Sequence, residues 1–270
     1  MAFHLCSALT SITIPNSVTD IGNNAFSNCS GLTSITIPES VTSIGYGVFV
    51  GCSAVSTITV NENNTVYKSE GNCLIEISSN TLLSGCKNSI IPDSVVCIGQ
   101  GAFDSCSDLT SITIPSSVTS IAEGAFFGCS ALTALSIPNS VIGIGRLAFF
   151  HCDSLNSIII PDSVTSIGER AFGYCSSLTV YAEASSKPVG WNYDWNNLNK
   201  PVVWNSVLSE NKSYVLSITK SEDTPSGAGN PYREGFVFDG WYTVADYSKE
   251  RYAAIADAPI GTLYAKWTQE

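Results

Sequence analysis

The chain is poor in charge, in histidine and in methionine. Only 13% of its 270 residues are charged, about half the usual share. With 44% hydrophobic content it has enough material for a real core and lacks the composition of a disordered chain. Twelve Lys+Arg stand against 23 Asp+Glu, a net charge of −11, and no basic stripe occurs. A polyanion is repelled by such a surface, so nucleic acid is set aside as a partner. No run approaches the roughly 18 apolar residues of a membrane helix, so no membrane insertion is expected of this chain. The opening MAFHLCSALTSITIP has neither the basic nor the apolar region of a signal peptide. Phosphate-cradling glycine loops are missing, as are a G-x-S-x-G elbow, an EF-hand calcium loop and any C-x-x-C pair. Two histidines, His4 and His151, are too few for a triad or a histidine metal site. No cofactor and no metal are expected.

What the chain has is a period. Ala-Phe recurs at Phe3, Phe26, Phe103, Phe126, Phe149 and Phe172, with Val48-Phe49 as a variant, in steps of 23. Cys6, Cys29, Cys52, Cys106, Cys129, Cys152 and Cys175 each follow a Phe by three residues, and a Leu or Val follows three later. Next come Ile12, Ile35, Ile58, Ile112, Leu135 and Ile158, then Ile-Pro in most units, then a Val and an Ile such as Val164 and Ile167. LTSITIP reads as a short strand with Leu, Ile and Ile on one side and Thr and Ser on the other. Pro ends its pairing, having no N–H to give. SVTSIG reads as a second short extended stretch, and AFxxC closes the coil with, at most, one helical turn. No unit buries its apolar side alone, so the units stack into a right-handed parallel solenoid at about 4.8 Å per coil. One step, from Phe49 to Phe103, is 54, one ordinary unit and one of 31. The extra length falls at about residues 61–91, with a turn expected at Ser69-Glu70-Gly71-Asn72 between two short strands, and with Cys86 counted at the Leu position.

The pattern L-x-x-I-x-I-P-x-S-V-x-x-I-G-x-x-A-F-x-x-C resembles the BspA-type leucine-rich repeat of bacterial surface proteins, over about residues 2–180. The Trp-rich stretch KPVGWNYDWNNLNKPVVW (187–204) resembles the segment that closes such arrays. Beyond it, Arg233, Gly235, Phe238, Gly240-Trp241-Tyr242 and Leu263-Tyr264-Ala265-Lys266-Trp267 resemble the Listeria–Bacteroides repeat, a small β-grasp-like module. The expected fold is β-rich, α+β at most: a leucine-rich-repeat solenoid of 23-residue coils over 1–180, a cap or linker over 181–205, and the module over 206–270. Phe236, Phe238, Trp241, Leu263 and Trp267 are its expected core. The resemblance implies an exported, extracellular or cell-surface protein. Ala2-Phe3 already lies mid-unit, so the array is expected to continue on the N-terminal side in the native protein.

Ten cysteines invite a disulfide or metal reading. Seven at one inward repeat position read better as small apolar filler, while Cys73 and Cys86 are close enough in the insert for a bridge to stay open, and Cys97 is expected near the surface. The candidate functional feature is the outward side of the first strand row: Thr10, Thr13, Thr33, Thr36, Thr57, Thr59, Thr110 and Thr113. Regular hydroxyls on a broad β face suit a protein or glycan ligand; equally, Thr simply suits an exposed strand position. The expected function is non-enzymatic adhesion or binding, by a monomer, to an extracellular protein or glycan. The alternatives are a carbohydrate-active or peptidase accessory enzyme, which needs a two-carboxylate or nucleophile–base cleft, and a purely structural scaffold.

Overall fold

The computed structural model describes residues 2–197, 200–204, 206–209, 215–220, 231, 236–242, 251–258 and 261–269. Its strands are β1 (Asp20–Ile21), β2 (Ser34–Ile37), β3 (Ser43–Ile44), β4 (Thr57–Val60), β5 (Tyr67–Glu70), β6 (Cys73–Glu76), β7 (Thr81–Ser84), β8 (Cys97–Ile98), β9 (Ser120–Ile121), β10 (Ala134–Ser136), β11 (Gly143–Ile144), β12 (Ser157–Ile160), β13 (Ser166–Ile167), β14 (Thr179–Ala182) and β15 (Val202–Val203). A second group follows: β16 (Val207–Ser209), β17 (Val215–Lys220), β18 (Phe236–Tyr242), β19 (Arg251–Tyr252) and β20 (Gly261–Gln269). The chain is a β-solenoid of about eight turns.

Two rows of parallel strands run along the array. The LTSITIP segments form the first row, as a β2-β4 pair and a β10-β12-β14-β15 sheet. The SVTSIG segments form the second, with β1 on β3 and with β8, β9, β11 and β13 in one sheet. Partners lie 23 residues apart in Ile35 with Ile58 and Ile121 with Ile144, and 22 apart at the C-terminal end, in Ile158 with Val180 and Val180 with Val202. In β2 burial alternates, Ile35 and Ile37 in, Ser34 and Thr36 out, as a period of two requires.

The AFxxC corner closes each coil by turns rather than by a helix. Cys29 N–H donates to the Phe26 carbonyl at 3.1 Å, and Leu32 N–H to the Cys29 carbonyl at 3.0 Å. The residue before each repeat cysteine takes a left-handed conformation, with φ between 59° and 70° at Leu5, Asn28, Gly51, Ser105, Gly128, His151 and Tyr174. Coil on coil, Phe103 N–H donates to the Ala125 carbonyl and Phe126 N–H to the Ala148 carbonyl, both at 2.7 Å. The phenylalanines therefore stack: Phe103, Phe126, Phe149 and Phe172 lie 5.1–5.3 Å apart with rings within 4° of parallel. Backbones press equally close at Gly145, where a Cβ would sit 2.5 Å from main-chain atoms of Ala122 and Glu123. The glycine of SVTSIG is thus set by contact between coils.

The long step corrects the register expected from counting. β5, β6 and β7 make an antiparallel meander, with the turn at Gly71-Asn72 as expected, and β7 rejoins the second row beside β8. Gly85 N–H donates to the Ala102 carbonyl at 2.8 Å, the bond a repeat phenylalanine makes. Gly85 therefore holds the Phe position, and the 54 residues divide into steps of 36 and 18. Its Cβ would fall 2.1 Å from the Phe103 ring, which fills the place. Cys86 holds the Cys position, not that of Leu: Ser89 N–H donates to the Cys86 carbonyl at 3.0 Å, as Leu32 does to Cys29. Only six residues then separate Cys86 from Pro92, against nine from Cys29 to Pro38. That coil is too short for a first-row strand, and the first row is interrupted there while the second continues.

At the C-terminal end Trp191 and Trp195 close the core. Both are buried, their rings lie 4.7 Å apart, and Trp191 Nε1–H donates to the Val164 carbonyl at 2.9 Å. Beyond them β16, β17, β20, β18 and β19, in that order, form an antiparallel sheet. Trp241 and Leu263 are fully buried, and Phe238 is partly buried against them. The side chains of Phe236 and Trp267, and all of Arg233 and Gly235, lie outside the described residues.

Candidate functional site

All eight candidate threonines are exposed, in register along the first row. Some of the hydroxyls in the row are tied to the coil below. Thr33 Oγ1–H donates to the Thr10 carbonyl at 3.3 Å, Thr59 Oγ1–H to the Ile35 carbonyl at 3.2 Å, and Ser56 Oγ–H to the Thr33 carbonyl at 3.3 Å. Thr36 and Thr59 also share a 2.9 Å hydroxyl–hydroxyl bond. With their donors turned to the backbone, these groups offer mainly acceptor lone pairs to solvent. The row joins Thr10 to Thr59 and, past the interruption, Thr110 and Thr113; it is not one continuous ladder.

The outward side changes character toward the C-terminus. Ile159, Tyr181 and Val203 occupy outward positions in β12, β14 and β15 and pack with Trp241, Ile255, Ala258, Leu263 and Ala265. The second sheet thus covers the end of the first row, with the Tyr181 and Trp241 rings 6.3 Å apart. The sequence signal was that the column holding Ser136 continues as Ile159, Tyr181 and Val203; the covering partner was not legible without the contact.

The four basic side chains of residues 1–180 all meet acids: Lys68 with Glu70, Lys87 with Asp108, Arg146 with Glu123 and Glu169, and Arg170 with Asp194. These pairs are largely exposed and worth about 0–1 kcal/mol each. Hydrogen bonding from Arg170 holds the Asp194 carboxyl below its ordinary range. No group of three or more His, Cys, Asp or Glu is placed to hold a metal among the described residues. Burial raises the Asp104 carboxyl, against a lowering hydrogen bond from Ser105; it is a single carboxyl beside a hydroxyl.

All ten cysteines are free, Cys73 and Cys86 included, and Cys97 is half-buried. Repeat thiols donate to phenylalanine carbonyls one coil back, from Cys52 to Phe26 at 3.0 Å and from Cys152 to Phe126 at 3.2 Å. Burial pushes Cys52, Cys73 and Cys106 up to about 12. The thiolate, not the thiol, is the nucleophile, so Ellman's reagent should react promptly with exposed Cys6 and slowly with the half-buried Cys97 and Cys106, the rest needing denaturant. Prompt reaction of five or more thiols would contradict this packing. The unfolded chain ionises these thiols from about pH 9 while the folded chain holds its protons, so stability is full below pH 9 and falls as pH rises toward 12. Urea midpoints on either side of pH 9 measure that loss.

The BspA type leucine-rich repeat region matches residues 1–81 and 75–190, in six copies. The chain belongs to this family. Solved structures to which it is similar include a leucine-rich repeat protein from Eubacterium ventriosum, 31% identical, with a TM-score of 0.57 over 63% of this chain and 47% of its own. A leucine rich cell surface protein from Faecalibacterium prausnitzii is 34% identical, with a TM-score of 0.53 over 72% of this chain and 58% of its own. A leucine-rich repeat protein from Bacteroides ovatus is 27% identical, with a TM-score of 0.50 over 76% of this chain and 52% of its own. The BspA-type chain spans about half the length of these relatives. No curated protein matches it.

Proposed function

We propose that this BspA-type protein is a non-enzymatic, cell-surface or extracellular binding protein that attaches to a host or matrix protein or glycan through the first-row face. One observation carries the reading: a flat row of exposed hydroxyls from Thr10 to Thr59, in register, is uncovered, while the same face at the other end of the array is apolar and covered. A repetitive uncharged face favours broad contact, with affinity built by multiplicity rather than by electrostatic steering. The likeness to a leucine rich cell surface protein supports the location. The C-terminal sheet is proposed to be the Listeria–Bacteroides type module, here packed against the end of the array.

Matrix-protein and glycan arrays probed with the wild type and with Thr13→Lys, Thr36→Lys and Thr59→Lys together test the proposal. The substituted chain should keep its fold, since all three positions are exposed, and should lose most of the binding. Unchanged binding would remove the hydroxyl row from the site and leave the scaffold reading. Hydrolysis of an arrayed glycan or protein would favour the enzyme reading.

A further inference from the structure

We propose that the interruption of the first row is a docking slot for an extended peptide of a partner protein, which adds there as the missing strand. Where first-row coils follow one another, a main-chain N–H at one position donates to the carbonyl one coil back: Thr33 to Thr10 at 3.3 Å, Ser56 to Thr33 at 3.0 Å, Thr133 to Thr110 at 3.2 Å, and Thr179 to Asn156 at 2.9 Å. At Thr110 the donor is present and the acceptor is not. No main-chain bond joins residues 89–93 to residues 110–115 among the described residues. Between these segments lies a cleft of about 380 Å³ lined by Ser89, Ile91, Asp93, Ser111, Ile112 and Thr113, among others. Chain spacing explains the opening, because the Cys86–Pro92 coil is three residues short of a strand while the second row beside it, from β7 to β8, stays paired.

An extended peptide matches what the slot lacks. It brings a carbonyl for Thr110 N–H and alternates its side chains, apolar toward Ile91 and Ile112 and polar toward solvent. Every other rung of the row is parallel, so a parallel guest ends with its C-terminal residue beside Asp93. Asp93 has no ion pair among the described residues, and a Lys or Arg at that end of the guest complements it. The slot stands apart from the hydroxyl-row reading and survives if that reading fails.

The probes are fluorescein-labelled LTSITIK-amide, patterned on the chain's own rung at residues 32–38, and LTSITIE-amide. The lysine peptide should bind more tightly at low salt and should slow amide exchange at residues 110–113. Thr110→Pro deletes a donor that holds no main-chain bond among the described residues, so it should weaken binding about fivefold, the loss of one hydrogen bond. A three-residue insertion after Ser89, restoring the nine-residue spacing, should abolish binding by filling the slot. Thr13→Lys, Thr36→Lys and Thr59→Lys should leave peptide binding unchanged. No binding, exchange protection confined to residues 10–14, or equal affinity for Thr110→Pro would each overturn the proposal.

Discussion

Phe126→Ala should cost about 3–5 kcal/mol, the range for truncating a buried aromatic. Phe126 is fully buried between the parallel rings of Phe103 and Phe149, at 5.1 and 5.2 Å. Its removal therefore ends two stacking contacts as well as the burial. The neighbours cannot collapse into the space, because their backbones are held one coil apart by main-chain hydrogen bonds. A loss of this size lowers Tm by about 10 °C in a chain of this length. In a solenoid each coil contacts only its neighbours, so the break should also divide a single urea transition into two. Phe3→Ala is the control: Phe3 is 37% exposed and has a ring partner on one side among the described residues, so its loss should be small. A loss below about 1 kcal/mol for Phe126→Ala would mean that the ring stack is not where the array's stability resides.

Trp191→Ala should cost a similar amount, and the damage should be local. This side chain is 2% exposed, packs on Trp195 and Trp204, and donates its indole N–H to the Val164 carbonyl. Removing it opens the core of the last coil and leaves that carbonyl unpaired in a buried place, which adds about 1–3 kcal/mol to the packing loss. Trp191→Phe should recover much of the packing but not the bond. Hydrogen exchange should report faster opening at Ser166 and Ile167, next to the Ile167–Trp191 bridge, and little change at Ile121. Uniform acceleration along the array would show that the tryptophans stabilise it globally rather than closing one end.

Residues 2–60 and 103–180 gave up their architecture to a reading of period alone, because each coil repeats the same burial at the same spacing. The meander could be anticipated in part, since Gly71-Asn72 is a turn signal in any context. The register at Gly85 could not. Counting back from Pro92 assumed a full-length first-row segment, whereas the chain shortened that segment and put glycine where Phe103 needed room. The candidate site was legible as residue types: all eight threonines are exposed, as expected of polar positions alternating with Ile. Their mutual bonding was not, because a Thr that donates to the carbonyl below and one that faces a ligand have the same sequence. The covering of Ile159 and Tyr181 needed the distant Trp241, and no local rule connects residues that far apart.

The ten unpaired thiols have a consequence for how the molecule is made. With no covalent link between one coil and another, the polypeptide remains a simple thread until it winds. Such a thread can wind up with no oxidase or disulfide isomerase in attendance.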